Sequence, residues 1–220
     1  MIDVAVDYYE NSTYLNSYHI NDPNGECPSR TKPPNLTSAG WYPSVPYAWG
    51  IADTVNQFND FMSGGNNHYF AGDYTDPNSG CGRGVDCSGL ISMAWDLGFH
   101  HGTCTLEDST ISRPLGSFQE LRKGDIVNKC STTPRHVILF EKFGNNGQGQ
   151  GMWGYEATIT TNVYRVDYTF HLFSALSGYT PRTYVDACNK IHLPVLKDTH
   201  IQMDLGDGIS GPYPPPNPYP

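Results

Sequence analysis

A cysteine placed at the start of an apolar helical pattern is the feature that most constrains this fold. Cys87 follows an irregular Gly/Asn/Asp-rich segment. Behind it, apolar residues recur at helical spacing: Leu90, Ile91, Ala94 and Trp95. The pattern predicts a helix that begins at or near Cys87 and ends around Gly98. Unpaired N–H groups and the helix dipole favour a thiolate there, and the same N–H groups could hold an oxyanion.

Length and composition favour a single loop-rich domain. A chain of 220 residues can bury its own hydrophobic core. Only 16% of the residues are charged, whereas Gly, Pro and Tyr are abundant, which is typical of a secreted α+β or β-rich protein. The net charge of −9 argues against a nucleic-acid partner and against electrostatic capture by an anionic membrane or cell wall. No apolar run is long enough for a membrane span.

The cysteine content indicates an oxidising compartment. Six cysteines in a Lys-poor, Asn-rich chain are typical of a secreted, extracellular protein. The chain opens at 1–4 directly into polar sequence without the apolar core of a signal peptide, so we expect a mature form. We also expect a monomer.

Three regions are predicted along the chain. Residues 1–40 are polar and Pro-interrupted, and we interpret them as an arm packed on the domain, with one short strand near its start. Residues 41–205 form the domain itself, and residues 206–220 form an extended Pro-rich tail. Whether the arm inhibits the domain, and what the tail does, stay open.

Within the domain, the spacing of apolar residues predicts one further helix and a set of strands. The helix covers 54–62 and is capped by Asp53 or Thr54. Residues 100–118 are predicted as loop with one short helical turn. The predicted strands begin near 126 and cover 136–141, 152–157, 164–171 and 183–185.

A histidine and a glutamate on neighbouring strands are candidate partners for Cys87. His136 opens the most apolar strand, and Glu156 is a lone carboxylate in the next one. Hairpin pairing would bring Glu156 beside His136, which suits a thiol nucleophile, a base and a group that orients the base. The spacing alone leaves other roles open: an ordinary core or surface histidine, a solvent-facing glutamate, and a disulfide-bonded cysteine.

Four motifs in order resemble the NlpC-type cell-wall cysteine peptidases. They are the segments 46–50 (PYAWG), 85–90 (VDCSGL), 121–126 (LRKGDI) and 136–140 (HVILF). The resemblance covers about residues 41–185. It implies a papain-like α+β fold, with the nucleophile helix packed on an antiparallel β-sheet. It also implies hydrolysis of peptide or amide bonds in peptidoglycan stem peptides, often next to D-amino acids, without a cofactor.

The resemblance assigns catalytic roles to three residues. Cys87 matches the family nucleophile and His136 matches the general base. Glu156 falls where the family places its third polar group, usually His, Asn or Gln. A carboxylate there would favour a Cys⁻/His⁺ ion pair at rest.

It also implies three substrate contacts. Tyr47 matches a tyrosine beside the nucleophile that contacts the substrate and assists the Cys87 backbone N–H at the oxyanion. Asp86 and Ser88 flank the nucleophile, where relatives contact the free amine of the stem peptide. Core packing of Tyr47 and Trp49, and helix capping by Asp86, are the simpler interpretations.

The remaining cysteines predict two disulfides and one leftover thiol. Our expected pair is Cys81 with Cys104, and connectivity otherwise stays open. This count covers Cys27, Cys81, Cys104, Cys130 and Cys188. A zinc site would use a set that lacks any Cys-x-x-Cys pair: Cys81, Cys87, His100, His101 and Cys104.

Two alternatives to a peptidoglycan peptidase stay open. One is a catalytically inactive wall- or glycan-binding module on the same scaffold, because the many aromatic residues could line a carbohydrate groove. The other keeps the thiol chemistry with another substrate, as an acyltransferase, amidase or toxin.

Overall fold

The chain combines helices and strands around a central antiparallel sheet. A computed structural model describes residues 1–63, 68–75, 80–160 and 163–185. The α-helices in this part are α1 (Ile2–Glu10), α2 (Ser17–Asn21), α3 (Val55–Ser63) and α4 (Cys87–Ala94). The strands are β1 (Ser12–Leu15), β2 (Gly40–Pro43), β3 (Phe70–Ala71), β4 (Gly82–Arg83), β5 (Ser112–Pro114), β6 (Ile126–Lys129), β7 (His136–Asn145), β8 (Gln150–Thr158), β9 (Arg165–Leu172) and β10 (Thr180–Tyr184). Short 3-10 helices cover Thr105–Glu107, Phe118–Glu120 and Phe173–Ala175.

Six strands form the main sheet, in the order β5-β10-β6-β7-β8-β9, and every neighbouring pair is antiparallel. Strand β7 is apolar at successive positions because both of its faces are covered. Val137 and Leu139 belong to the larger core with α1 and α4, whereas Ile138 and Phe140 pack into a smaller core. The helix that begins at Cys87 packs against β7 and β8. The α+β class is therefore confirmed.

Helix α4 is shorter than predicted. It ends at Ala94 rather than near Gly98, because Asp96 takes a left-handed conformation with φ of 56°. The indole N–H of Trp95 donates to the carbonyl of Gly124 at 2.9 Å, which ties this end of the helix to the turn before β6. Helix α3 (Val55–Ser63) is displaced by one residue from the predicted range of 54–62.

The first 40 residues contain more regular structure than the sequence predicted. Helix α1 precedes β1, and α2 follows it. Ile2, Ala5 and Tyr8 of α1 are buried at a spacing of three residues, so α1 contributes to the main core. The irregular-arm interpretation missed this short helix because its apolar stripe lies among many polar residues.

The disulfide pairs differ from the expected one. Cys27 is bonded to Cys81, and Cys104 is bonded to Cys130. The predicted Cys81–Cys104 pair is therefore wrong. Arg30 donates a hydrogen bond to the carbonyl of Gly72 at 2.7 Å, which holds the segment around Cys27 beside β3 and β4. Sequence spacing alone does not predict this contact.

Several predictions fall outside the described residues. They concern Cys188, the Pro-rich tail at 206–220 and the last part of the predicted domain, 186–205. Among the helices that the structure does describe, none has both the length and the apolar character needed to cross a bilayer.

Candidate active site

Cys87 is the first residue of α4 and the free cysteine of the described chain. It is 8% exposed, so its thiol lies just beneath the surface. The Asp86 side chain caps the helix by accepting a hydrogen bond from the N–H of Gly89 at 2.6 Å. The sequence-based alternative that Cys87 is disulfide-bonded is therefore wrong.

Two glycines allow the segment 46–52 to approach the start of α4 closely. Gly84 has a φ of 143°, and a Cβ there would lie 2.2 Å from the carbonyl oxygen of Pro46. A Cβ at Gly89 would lie 2.4 Å from the carbonyl oxygen of Ile51. The N–H of Asp86 donates to that Ile51 carbonyl at 3.0 Å. These contacts fix the aromatic turn of residues 46–50 beside Cys87.

His136 lies between Cys87 and Glu156. It is the first residue of β7, and its Nε2 forms a short hydrogen bond with Oε2 of Glu156 on β8. The Cys87 thiol is close enough to the imidazole of His136 to raise its pKa. Since Nε2 is used by Glu156, Nδ1 is the ring nitrogen left for the sulfur. The structure thus brings together the three residues to which the sequence assigned catalytic roles.

The electrostatics of this cluster favour a charged imidazole and a charged carboxylate. Burial opposes protonation of His136, but hydrogen bonds to Cys87 and Glu156 outweigh burial and raise its pKa to about 10. Burial likewise opposes ionisation of Glu156, but the contacts with His136 and His171 lower its pKa to about 2. The pair is therefore an imidazolium facing a carboxylate across the neutral range.

A second histidine contacts the same carboxylate. Nε2 of His171 on β9 lies 3.1 Å from Oε1 of Glu156, which is ion-pair distance, although the alignment is not that of a regular hydrogen bond. Sequence reasoning missed His171. His171 belongs to the predicted strand 164–171, which follows the strand that carries Glu156, and this position could have indicated the contact.

Tyr47 lies near the thiol. Burial, with added effects from the charges of Cys87 and Asp86, raises the pKa of Tyr47 far above its ordinary value. Its hydroxyl therefore stays protonated and can donate a hydrogen bond. Tyr47 also packs against the main core, so packing and proximity to the thiol coexist. Trp49 differs, because it is 45% exposed.

Asp86 is buried and hydrogen-bonded within the chain. Its side chain accepts hydrogen bonds from the backbone N–H groups of Gly50 and Gly89, at 2.8 and 2.6 Å, and from the Ser88 hydroxyl at 3.0 Å. His100, which sequence reasoning considered only as a zinc ligand, places Nε2 3.0 Å from Oδ1 of Asp86. Helix capping is thus one observed role of Asp86, and the contacts of Asp86 and Ser88 with a substrate stay predictions.

A groove of about 660 Å³ opens beside Cys87, which is within the usual size of ligand sites. The residues that matter for its chemistry are Tyr47, Trp49, Cys87, Ser88, His100 and Arg135. The thiol therefore faces a cleft large enough for part of a peptide.

The zinc alternative is wrong for this fold. Cys81 and Cys104 are both disulfide-bonded, so neither can provide a thiolate to a metal. The described residues hold no cluster of three or more His, Cys, Asp or Glu side chains arranged to bind a metal.

Comparison with protein-family models, with curated proteins and with solved structures gave no match. The chemistry of the site therefore has to be argued from its own residues.

Proposed function

We propose that this chain is a secreted cysteine peptidase of the NlpC type that hydrolyses peptide or amide bonds in peptidoglycan stem peptides. The observation that carries the proposal is the free Cys87 at a helix start, close to a His136 that is hydrogen-bonded to Glu156. This is the arrangement that thiol hydrolysis requires.

The fold supports the same proposal. The helix that starts at Cys87 packs on strands β7 and β8 of an antiparallel sheet, and these strands carry His136 and Glu156. A papain-like fold has this arrangement, and we include it in the proposal. Two disulfides agree with an oxidising, extracellular location.

In the first half of the reaction, the Cys87 sulfur attacks the substrate carbonyl and the C–N bond then breaks. The oxyanion of the tetrahedral intermediate accepts hydrogen bonds from the Cys87 backbone N–H and the Tyr47 hydroxyl. The imidazolium of His136 donates its proton to the leaving amine, and a thioester remains on Cys87.

In the second half, water attacks the thioester while the now neutral His136 accepts its proton. The C–S bond breaks, the acid product leaves, and the thiolate–imidazolium pair is restored. Glu156 keeps the ring oriented and stabilises its charge in both halves.

The test is amine release from purified peptidoglycan. We expect Cys87→Ala and His136→Ala each to lower the rate by at least about 10³-fold, because they remove the nucleophile and the proton carrier. His68→Ala is the matched control, since His68 is 72% exposed and paired with Glu26, and it should keep full activity. Full activity in Cys87→Ala would falsify the proposal.

A further inference from the structure

A second imidazole–carboxylate pair lies beside Cys87. Nε2 of His100 is 3.0 Å from Oδ1 of Asp86 and 3.3 Å from the Ser88 hydroxyl. His100 lines the groove, and 29% of its side chain is exposed. The side chains of Asp86 and Ser88, by contrast, are almost fully covered.

Most of the acceptor capacity of Asp86 is used within the chain. A carboxylate accepts about four hydrogen bonds. Oδ1 of Asp86 already receives three hydrogen bonds, from Gly89, Ser88 and His100, and Oδ2 receives one from Gly50. The Asp86 side chain is only 5% exposed, so an ammonium group of a substrate has little access to the remaining acceptor site on Oδ2.

The groove instead carries two cationic side chains. His100 and Arg135 line it, and Asp86 is the one carboxylate among the described residues that do so. Tyr47, Tyr74 and Cys87 are the other titratable groups of the lining.

His100 is suited to donate a hydrogen bond into the groove. Its hydrogen bond to Asp86 outweighs burial and raises the pKa of the imidazole. Among the residues that the structure describes, Nδ1 of His100 makes no hydrogen bond, whereas Nε2 is used by Asp86. In the charged ring, Nδ1–H is therefore free to bind an acceptor.

We infer that this end of the groove binds a carboxylate of the substrate peptide, through Nδ1–H of His100 and the positive charge of Arg135. The inference rests on the proposed function for the peptide nature of the ligand. It reverses the amine contact that the family resemblance implies for Asp86 and Ser88.

Binding to the Cys87→Ala protein tests this without turnover. The probes are pairs of synthetic stem peptides of one sequence, in which one carboxylate at a time is replaced by a carboxamide. At pH 6 we expect one pair to show about tenfold tighter binding of the carboxylate form, as for one partly exposed charge-assisted hydrogen bond. The preference should weaken as the pH rises and His100 loses its charge.

Adding His100→Gln should weaken the preference at least about threefold, because glutamine can still donate to Asp86 but carries no charge, and only Arg135 then attracts the carboxylate. Adding His68→Ala should leave the preference unchanged. The inference is overturned if no pair is distinguished, if the carboxamide binds more tightly, if neither form binds, or if His100→Gln leaves the preference unchanged.

Failure here is distinguishable from failure of the proposed hydrolysis. Cys87-dependent amine release by the wild-type protein, with no carboxylate preference, would reject this inference alone. A His100-dependent carboxylate preference without any amine release would reject the hydrolase and keep the carboxylate site.

Discussion

Two imidazole–carboxylate pairs lie near the start of helix α4, and they differ in what the imidazole contacts. In the first, His136 is hydrogen-bonded to Glu156 and lies near the Cys87 thiol, which raises its pKa. In the second, His100 bonds to Asp86 and lines the open groove. The exposure of the histidine side chains is similar, 20% and 29%. Burial therefore does not distinguish the two histidines. They differ in the group that faces the ring nitrogen not bonded to the carboxylate.

The carboxylates also differ. Glu156 contacts two imidazoles, those of His136 and His171, and its charge is available to support a catalytic base. Asp86 is buried and accepts hydrogen bonds from the backbone N–H groups of Gly50 and Gly89, so it joins the 46–52 segment to the start of α4. One pair is suited to moving protons and the other to holding a helix and a ligand.

Glu156→Gln breaks the first pair and should have the largest effect among the changes that spare Cys87 and His136. We expect kcat/KM to fall by about 10–100-fold. Because the carboxylate helps to raise the pKa of His136 to about 10, its loss lowers that pKa. As the pH rises, the rate of Glu156→Gln should begin to fall at a lower pH than the rate of the wild type, because His136 loses the proton that it must donate.

The pH–rate profile measures this change. Glu141→Gln is a matched control, because Glu141 lies on β7 and accepts a hydrogen bond from Tyr168 instead of from a catalytic residue. A Glu156→Gln profile that superimposes on the wild type would show that the carboxylate does not control His136.

Gly89→Ala tests the helix start that both pairs share. The added Cβ would lie 2.4 Å from the Ile51 carbonyl oxygen, so the helix or the 46–52 segment has to move. We expect a loss of about 1–3 kcal/mol in the free energy of unfolding, measured by urea denaturation. Gly40→Ala is the control, since a Cβ there meets nothing within 4 Å. Equal stability of the two variants would contradict the close approach.

His171→Asn should have the smallest effect. It removes one of two imidazoles from Glu156 and leaves the His136 contact in place. We expect less than a tenfold fall in kcat/KM, together with a measurable shift of the acidic limb to higher pH as the pKa of Glu156 rises from about 2. A purely structural role would lower stability without moving the pH profile.

Much of the first pair was predictable from sequence, and little of the second was. A hairpin places residues of adjacent strands together, so His136 and Glu156 could be paired from the strand pattern alone. His100 reaches Asp86 from a loop after α4, which no periodicity describes. The disulfide pairs and helix α1 were also missed, because they depend on how distant segments fold onto the domain.

The central claim is that Cys87 works as a thiolate paired with the imidazolium of His136. The most direct measurement is the pH dependence of alkylation by iodoacetamide, with the adduct located by peptide mapping. We predict that Cys87 is alkylated at pH 5, where ordinary thiols hardly react, and that His136→Ala slows this at least about tenfold. Alkylation that begins only near pH 8, or that is unchanged in His136→Ala, would contradict the claim.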